Sequence, residues 1–215
     1  MYVLQRNWEN LQRAHYDHVG HYGVPQLYPV YDLPEGLTWI GYNYVRGCDD
    51  PEDHGVHFFL DDYQFIRLWN DPDRYLPQLS RFSALTAPDF SPYADFPRAL
   101  QVWNHYRKHW LARYWQEHGM RVVPTIQWSD ETTLEWFLDG EPMHSVVALT
   151  TTGMLAKDRY KKWFLDGYEK MMDVIHPVQI LWKGEVPKEC ESDEHMIVRL
   201  PSFTERFDRM RGKTC

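Results

Sequence analysis

Short apolar runs rich in β-formers alternate with segments of helical period along most of this chain, and four of the runs end in a polar cluster. Residues 56–60 run into Asp61-Asp62, and 84–87 into Pro88-Asp89-Phe90-Ser91. Residues 122–127 run into Trp128-Ser129-Asp130, and 146–149 into Thr150-Thr151-Thr152-Gly153. Residues 37–42 read as an earlier strand, and 179–183 and 196–200 as two later ones. A helix over 63–82 is interrupted at Asp71-Pro72, and the longest spans 95–118, with Pro97 near its first turn and Gly119 as its C-cap. Trp103, Tyr106, Trp110 and Tyr114 recur along it at three- and four-residue spacing, an apolar stripe. A short helix over 131–138 closes at Gly140, and an amphipathic one spans 157–175.

Strands separated by helices imply a parallel sheet with right-handed crossovers. The strand-end polar residues are spread over four consecutive units, whereas an open sheet gathers its ligands at one switch point. The pattern therefore predicts an α/β fold, a small or incomplete parallel (β/α) barrel-like domain over residues 36–200. Residues 1–35 read as an irregular arm with one short helix near 8–16, 47–55 as an acidic surface loop, and 201–215 as a basic tail.

Among 215 residues, 10 Trp and 14 Tyr supply large apolar surfaces with one polar handle each, suited to cores, interfaces and pockets for planar ligands. A net charge of −8 argues against a general grip on a phosphate backbone. Cys48, Cys190 and Cys215 are far apart and form no CxxC, so neither a disulfide framework nor a thiolate metal centre is expected. No apolar run approaches the roughly 20 residues of a membrane helix, and residues 1–6 lack a secretory apolar region, which predicts a cytoplasmic protein.

The segments FFLDDYQF (58–65), APDFSPYADFP (87–97), QVWNHYRKHWLARYWQEHG (101–119), PTIQWSDE (124–131) and SVVALTTTG (145–153) resemble one domain-of-unknown-function family of bacteria, phages and prophages. The likeness runs over about residues 36–187 and ends at ILWKGEVP (180–187). It implies a phage or mobile-element setting and no particular reaction. The order of strands and polar clusters is also similar, more faintly, to tRNA-guanine-transglycosylase barrels and their phage relatives. That likeness implies strand-end carboxylates acting in base exchange at a ribose carbon, although the Cys/His zinc module of those enzymes is absent here.

Asp61, Asp62, Asp89, Asp95 and Asp130 are the acids at or just past predicted strand ends. Two carboxylates facing one pocket can divide acid and base or nucleophile roles, because burial and mutual repulsion separate their pKa values. They can equally hold a divalent cation through hard oxygen ligands. The competing reading is that acids before helices are caps. It applies least to Asp89, which precedes Phe-Ser-Pro rather than a helix start.

Thr151, Thr152 and Gly153 end a strand before a helix, where hydroxyls and backbone N–H groups can hold an anion. Trp128 can stack a base or sugar, or pack on the next loop; Ser129, Gln127 and Asn104 can read a polar edge or satisfy buried backbone. Arg107, Lys108, His109 and Arg113 form either a local basic face or a solvated helix face. His15, His18 and His21 lack the acid or Cys that would complete a metal set, so no metal ligands are assigned.

Two functions follow from this reading. One is an enzyme acting on a nucleotide, nucleobase or nucleic-acid segment by glycosyl transfer or hydrolysis. In it Asp89 is nucleophile or base, Asp62 its partner acid, Trp128 the stacking platform and 151–153 the anion site. The other is a phage or prophage protein that binds a host or phage protein, as an anti-defence or replication factor. The aromatic wealth and the acidic loop suit that second role.

Overall fold

The structure is a computed structural model describing residues 9–201. The predicted basic tail and Trp8, at the head of the predicted first helix, lie outside the described residues. Residues 9–13 form turns rather than a helix, and a two-residue hairpin, β1 (His18–Val19) with β2 (Val24–Pro25), follows.

Seven strands come next: β3 (Thr38–Gly41), β4 (His54–His57), β5 (Ala84–Thr86), β6 (Val122–Val123), β7 (Val146–Thr150), β8 (Gln179–Lys183) and β9 (Ile197–Leu200). Between them lie α1 (Ile66–Asn70), α2 (Pro72–Leu79), α3 (Arg98–Glu117) and α4 (Asp158–Ile175). The strands pair in parallel and in chain order, β3 to β6 in one ladder and β7 to β9 in another. A parallel bridge between Thr125 and Ala148 joins the ladders, with Ile126 N donating to Ala148 O at 2.8 Å and Ala148 N to Pro124 O at 2.8 Å. Among the described residues no pairing links β9 back to β3, so the expected α/β parallel sheet is present and a closed barrel is not.

Continuous apolar runs form these strands because both faces of the sheet are covered. Alternation sorts the side chains. On β7, Val147 and Leu149 pack with Ile180, Trp182 and the α4 residues Phe164, Tyr168 and Met171. Their neighbours Val146 and Ala148 turn to the other face and meet Trp39, Ala84, Val123, Leu181 and Leu200 in one cluster drawn from six of the seven parallel strands. The arm contributes Val30 to that cluster, and Val146 N donates to Val30 O at 2.6 Å. A third cluster packs Phe58, Leu68, Trp110, Leu111 and Trp115 between β4 and the helices α1 and α3.

Three elements differ from expectation. The strand predicted over 122–127 is only Val122–Val123, because Pro124 has no N–H to continue the ladder. Residues 131–138 form consecutive turns instead of a helix. Finally, Lys108 and His109 are 0% exposed, so they belong to no solvated or basic face. Their helix is buried along a second stripe, Asn104, Lys108, Leu111 and Trp115, beside the predicted aromatic one.

Candidate functional site

A cleft of about 810 Å³ opens where β4, β5, β6 and β7 end and the first turns of α4 begin. Parallel strands bring it about, since every strand runs the same way and every following loop leaves from one rim. Asp61, Asp89, Asp95, Gln127, Trp128, Ser129, Asp130 and Thr152-Gly153 all line this cleft. Asp62, Asn104 and Thr151 do not, and each is occupied nearby.

Asp89 follows β5. The Gln127 amide donates to its Oδ1, and also to Phe90 O at 3.2 Å, bridging the ends of β5 and β6. Burial and the charge of Asp62 push the Asp89 carboxyl up to about 7, against the opposing pull of Lys108 and the Gln127 hydrogen bond. Asp62 accepts from the Ser91 hydroxyl at 3.0 Å and from Ser91 N at 3.2 Å, and faces Arg107 Nη2 at 3.6 Å. Burial raises its pKa as well, although the Ser91 bonds and Arg107 resist. Arg107 lies over the Phe90 ring, 3.8 Å from its centre. Asn104, 1% exposed, donates to Ser91 O at 2.7 Å and thereby steadies the same loop from α3. The two acids are thus coupled: one is engaged by Ser91 and Arg107, and the other is poised near neutrality.

Asp61 is exposed at the cleft mouth and makes no side-chain cap. Asp130, by contrast, caps its own turn, accepting from Thr132 N at 3.0 Å. Trp128 is 8% exposed; its indole N–H donates to Trp163 O at 2.9 Å and its ring stacks on Phe164, 5.3 Å between centres. It is a wall of the cleft, wedged into the core. Ser129 N donates to Thr133 Oγ1 at 3.0 Å, and Thr151 Oγ1 to Glu185 O at 2.7 Å. Thr152 is exposed, and its N–H donates to Thr150 Oγ1 at 3.0 Å.

Sequence reasoning passed over several neighbours. Arg159, Tyr160 and Trp163 supply the α4 wall, with the Arg159 guanidinium 4.3 Å from the Trp163 ring centre. Behind the cleft, Lys108 Nζ donates to Thr125 O at 2.7 Å and pairs with Glu141 Oε1 at 2.6 Å, both side chains 0% exposed. His109 Nε2 lies 3.0 Å from the same oxygen. Burial pushes the Glu141 carboxyl up, but Lys108 and His109 outweigh it and hold the pKa below the usual range. Burial lowers both His105 and His109, with Lys108 adding to the effect and, for His109, Glu141 opposing it. The available signal was the His105–His109 spacing of four residues, one helical turn, on a helix otherwise lined with aromatics.

Among the described residues two groups of side chains are close enough to hold a metal ion: His105, His109 and Glu141, buried, and Cys48, Asp50 and His54 on the acidic loop. No helix among these residues is long and apolar enough to cross a membrane.

The gene 1 protein of Mycobacterium phage L5 is 33% identical over 187 residues, covering 86% of this chain and 81% of the phage protein. The gene 1 protein of Mycobacterium phage D29 is 33% identical over 190 residues, covering 88% and 69%. No solved structure matches the chain. Residues 16–201, including every strand end that lines the cleft, match the domain of unknown function DUF4417, and the chain belongs to that phage-associated family.

Proposed function

We propose that the chain is an enzyme that breaks or exchanges the bond between a nucleobase and ribose in a nucleoside, nucleotide or nucleic-acid segment, with Asp89 as its acid–base group. The observation that carries this reading is the Asp89 carboxyl, raised to about 7 at the rim of an 810 Å³ cleft. A group half-protonated near neutral pH can both give and take a proton, which is what general acid–base catalysis requires. Tyr93, Trp128, Tyr160 and Trp163 give the cleft aromatic walls for a planar ring, and Gln127 offers an amide at its edge.

In hydrolysis the bond from ribose C1′ to the base nitrogen breaks with its electron pair on nitrogen. The nitrogen takes the Asp89 proton, while water adds to C1′ and yields its proton to a second rim carboxylate, Asp61. Asp62, engaged by Ser91 and Arg107, acts as a positioning residue that keeps Asp89 protonated. The single inner cluster drawn from six strands supports reading the sheet as an incomplete barrel. The phage relatives and the absence of a membrane-spanning helix among the described residues support a cytoplasmic setting in the host.

The test is incubation with a panel of nucleosides, nucleotides and oligonucleotides, with and without Mg²⁺, scored chromatographically for released or exchanged base. The wild type should act on one substrate class, and Asp89→Asn should lower the rate by about a hundredfold or more with the fold intact. An unchanged rate in Asp89→Asn would overturn the reading. A folded wild type inert on the whole panel would also do so, in favour of a protein-binding role.

A further inference from the structure

We propose that His105, His109 and Glu141 form a structural transition-metal site, with zinc the ion that suits them best. Their ligand atoms all lie within 4.8 Å of one another. Two histidines one helical turn apart and a carboxylate from a separate segment are a ligand set that zinc accepts.

Four observations converge on this site. His109 Nδ1 lies 2.9 Å from Pro25 O, and His105 Nε2 lies 3.0 Å from Asp139 O. Each ring thus turns one nitrogen to a backbone carbonyl, the arrangement that orients a metal-binding histidine and leaves its other nitrogen to face an ion. The other nitrogen of His109, Nε2, lies 3.0 Å from Glu141 Oε1. Glu141 Oε2 is buried and has no hydrogen-bond partner. Lys108 holds Oε1, so an ion would take Oε2 while Lys108 keeps Oε1 and Thr125 O.

The turn carrying Glu141 is also built for close approach. Gly140 has φ +79°, and a Cβ there would stand 2.6 Å from His109 Nδ1 and 2.7 Å from Pro25 O. Tetrahedral zinc with ligands at about 2.1 Å needs donors about 3.4 Å apart, so the three side chains must draw in from separations of up to 4.8 Å. A metal there would fasten three segments together: α3, the 139–141 turn and the arm at Pro25. The site is separate from the reaction proposed above and does not depend on it.

The test is the metal content of the full chain purified without chelator, by plasma mass spectrometry. About one zinc per chain is expected, with a tetrahedral cobalt absorption band on reloading stripped protein with Co²⁺ and a lower Tm after stripping. His105→Ala and His109→Ala should lose the stoichiometric ion. The proposal is overturned if wild-type protein retains no ion, takes up none from micromolar Zn²⁺ and melts at the same temperature with chelator. Folded histidine variants that bind as tightly as wild type would overturn it too. Should those variants not fold, the wild-type measurements decide alone.

Discussion

The Ser91 hydroxyl donates to Asp62 Oδ1 at 3.0 Å, so the loop after β5 is clamped to the loop after β4. The clamp sets both the shape of the cleft rim and the charge beside Asp89. Asp62→Ala removes it and leaves the half-buried Arg107 without its carboxylate, at a cost of about 1–3 kcal/mol. It also deletes a negative charge that raises Asp89. The Asp89 titration midpoint should therefore fall below its wild-type value of about 7, as carboxyl ¹³C NMR would read.

Asp89 makes the fold pH-sensitive in a direction opposite to most acids. Its folded pKa of about 7 lies above the ordinary 3.8, so between those values the native chain binds more protons than the unfolded one. Its contribution is complete below pH ~4 and is lost as pH rises through ~7, by at most about 4 kcal/mol. Asp89→Asn should accordingly raise the urea midpoint most at pH 8, less at pH 5, and hardly at all below pH ~4.

Lys108 and Glu141 form an ion pair with neither side chain exposed. Removing one partner strands a buried charge, so in metal-free buffer Lys108→Met should cost about 3–5 kcal/mol. The double variant Lys108→Met/Glu141→Gln should cost clearly less than the sum of its single changes, a coupling that denaturant melts of the four proteins would measure.

Gly167 lies against the Trp128 indole, and a Cβ added there would fall 2.2 Å from Nε1. Gly167→Ala must turn Trp128 and break its 2.9 Å hydrogen bond to Trp163 O. Overpacking of this kind costs about 1–3 kcal/mol. A lower Tm with an altered Trp emission spectrum would record it, and an unchanged spectrum would refute it.

The strand positions and the cleft were legible because apolar runs of β-formers end abruptly at Asp61, Asp89, Trp128 and Thr150. A parallel sheet turns that rhythm into one rim. The roles within the rim were less legible. The sequence sets Asp89, before Phe-Ser-Pro, apart from Asp130, but not its partner: Asp130 caps its own turn while Asp89 is bridged to the next strand by Gln127. Trp128 carries no mark telling a stacking platform from a wedge in the core. The Lys108–Glu141 pair was invisible because a lysine on an aromatic helix reads as solvent-facing. Only the second buried stripe, with a partner 33 residues away, reverses that.

Strict chain order in the sheet shapes how this protein can be made. Each strand from β4 onward docks on one that the ribosome has already released, so the scaffold can grow outward as synthesis proceeds, with little waiting for distant segments. The N-terminal arm is the exception. Leu27 N waits for Gly140 O and Val30 O for Val146 N, each more than a hundred residues later, so the arm is latched down only after most of the chain has emerged.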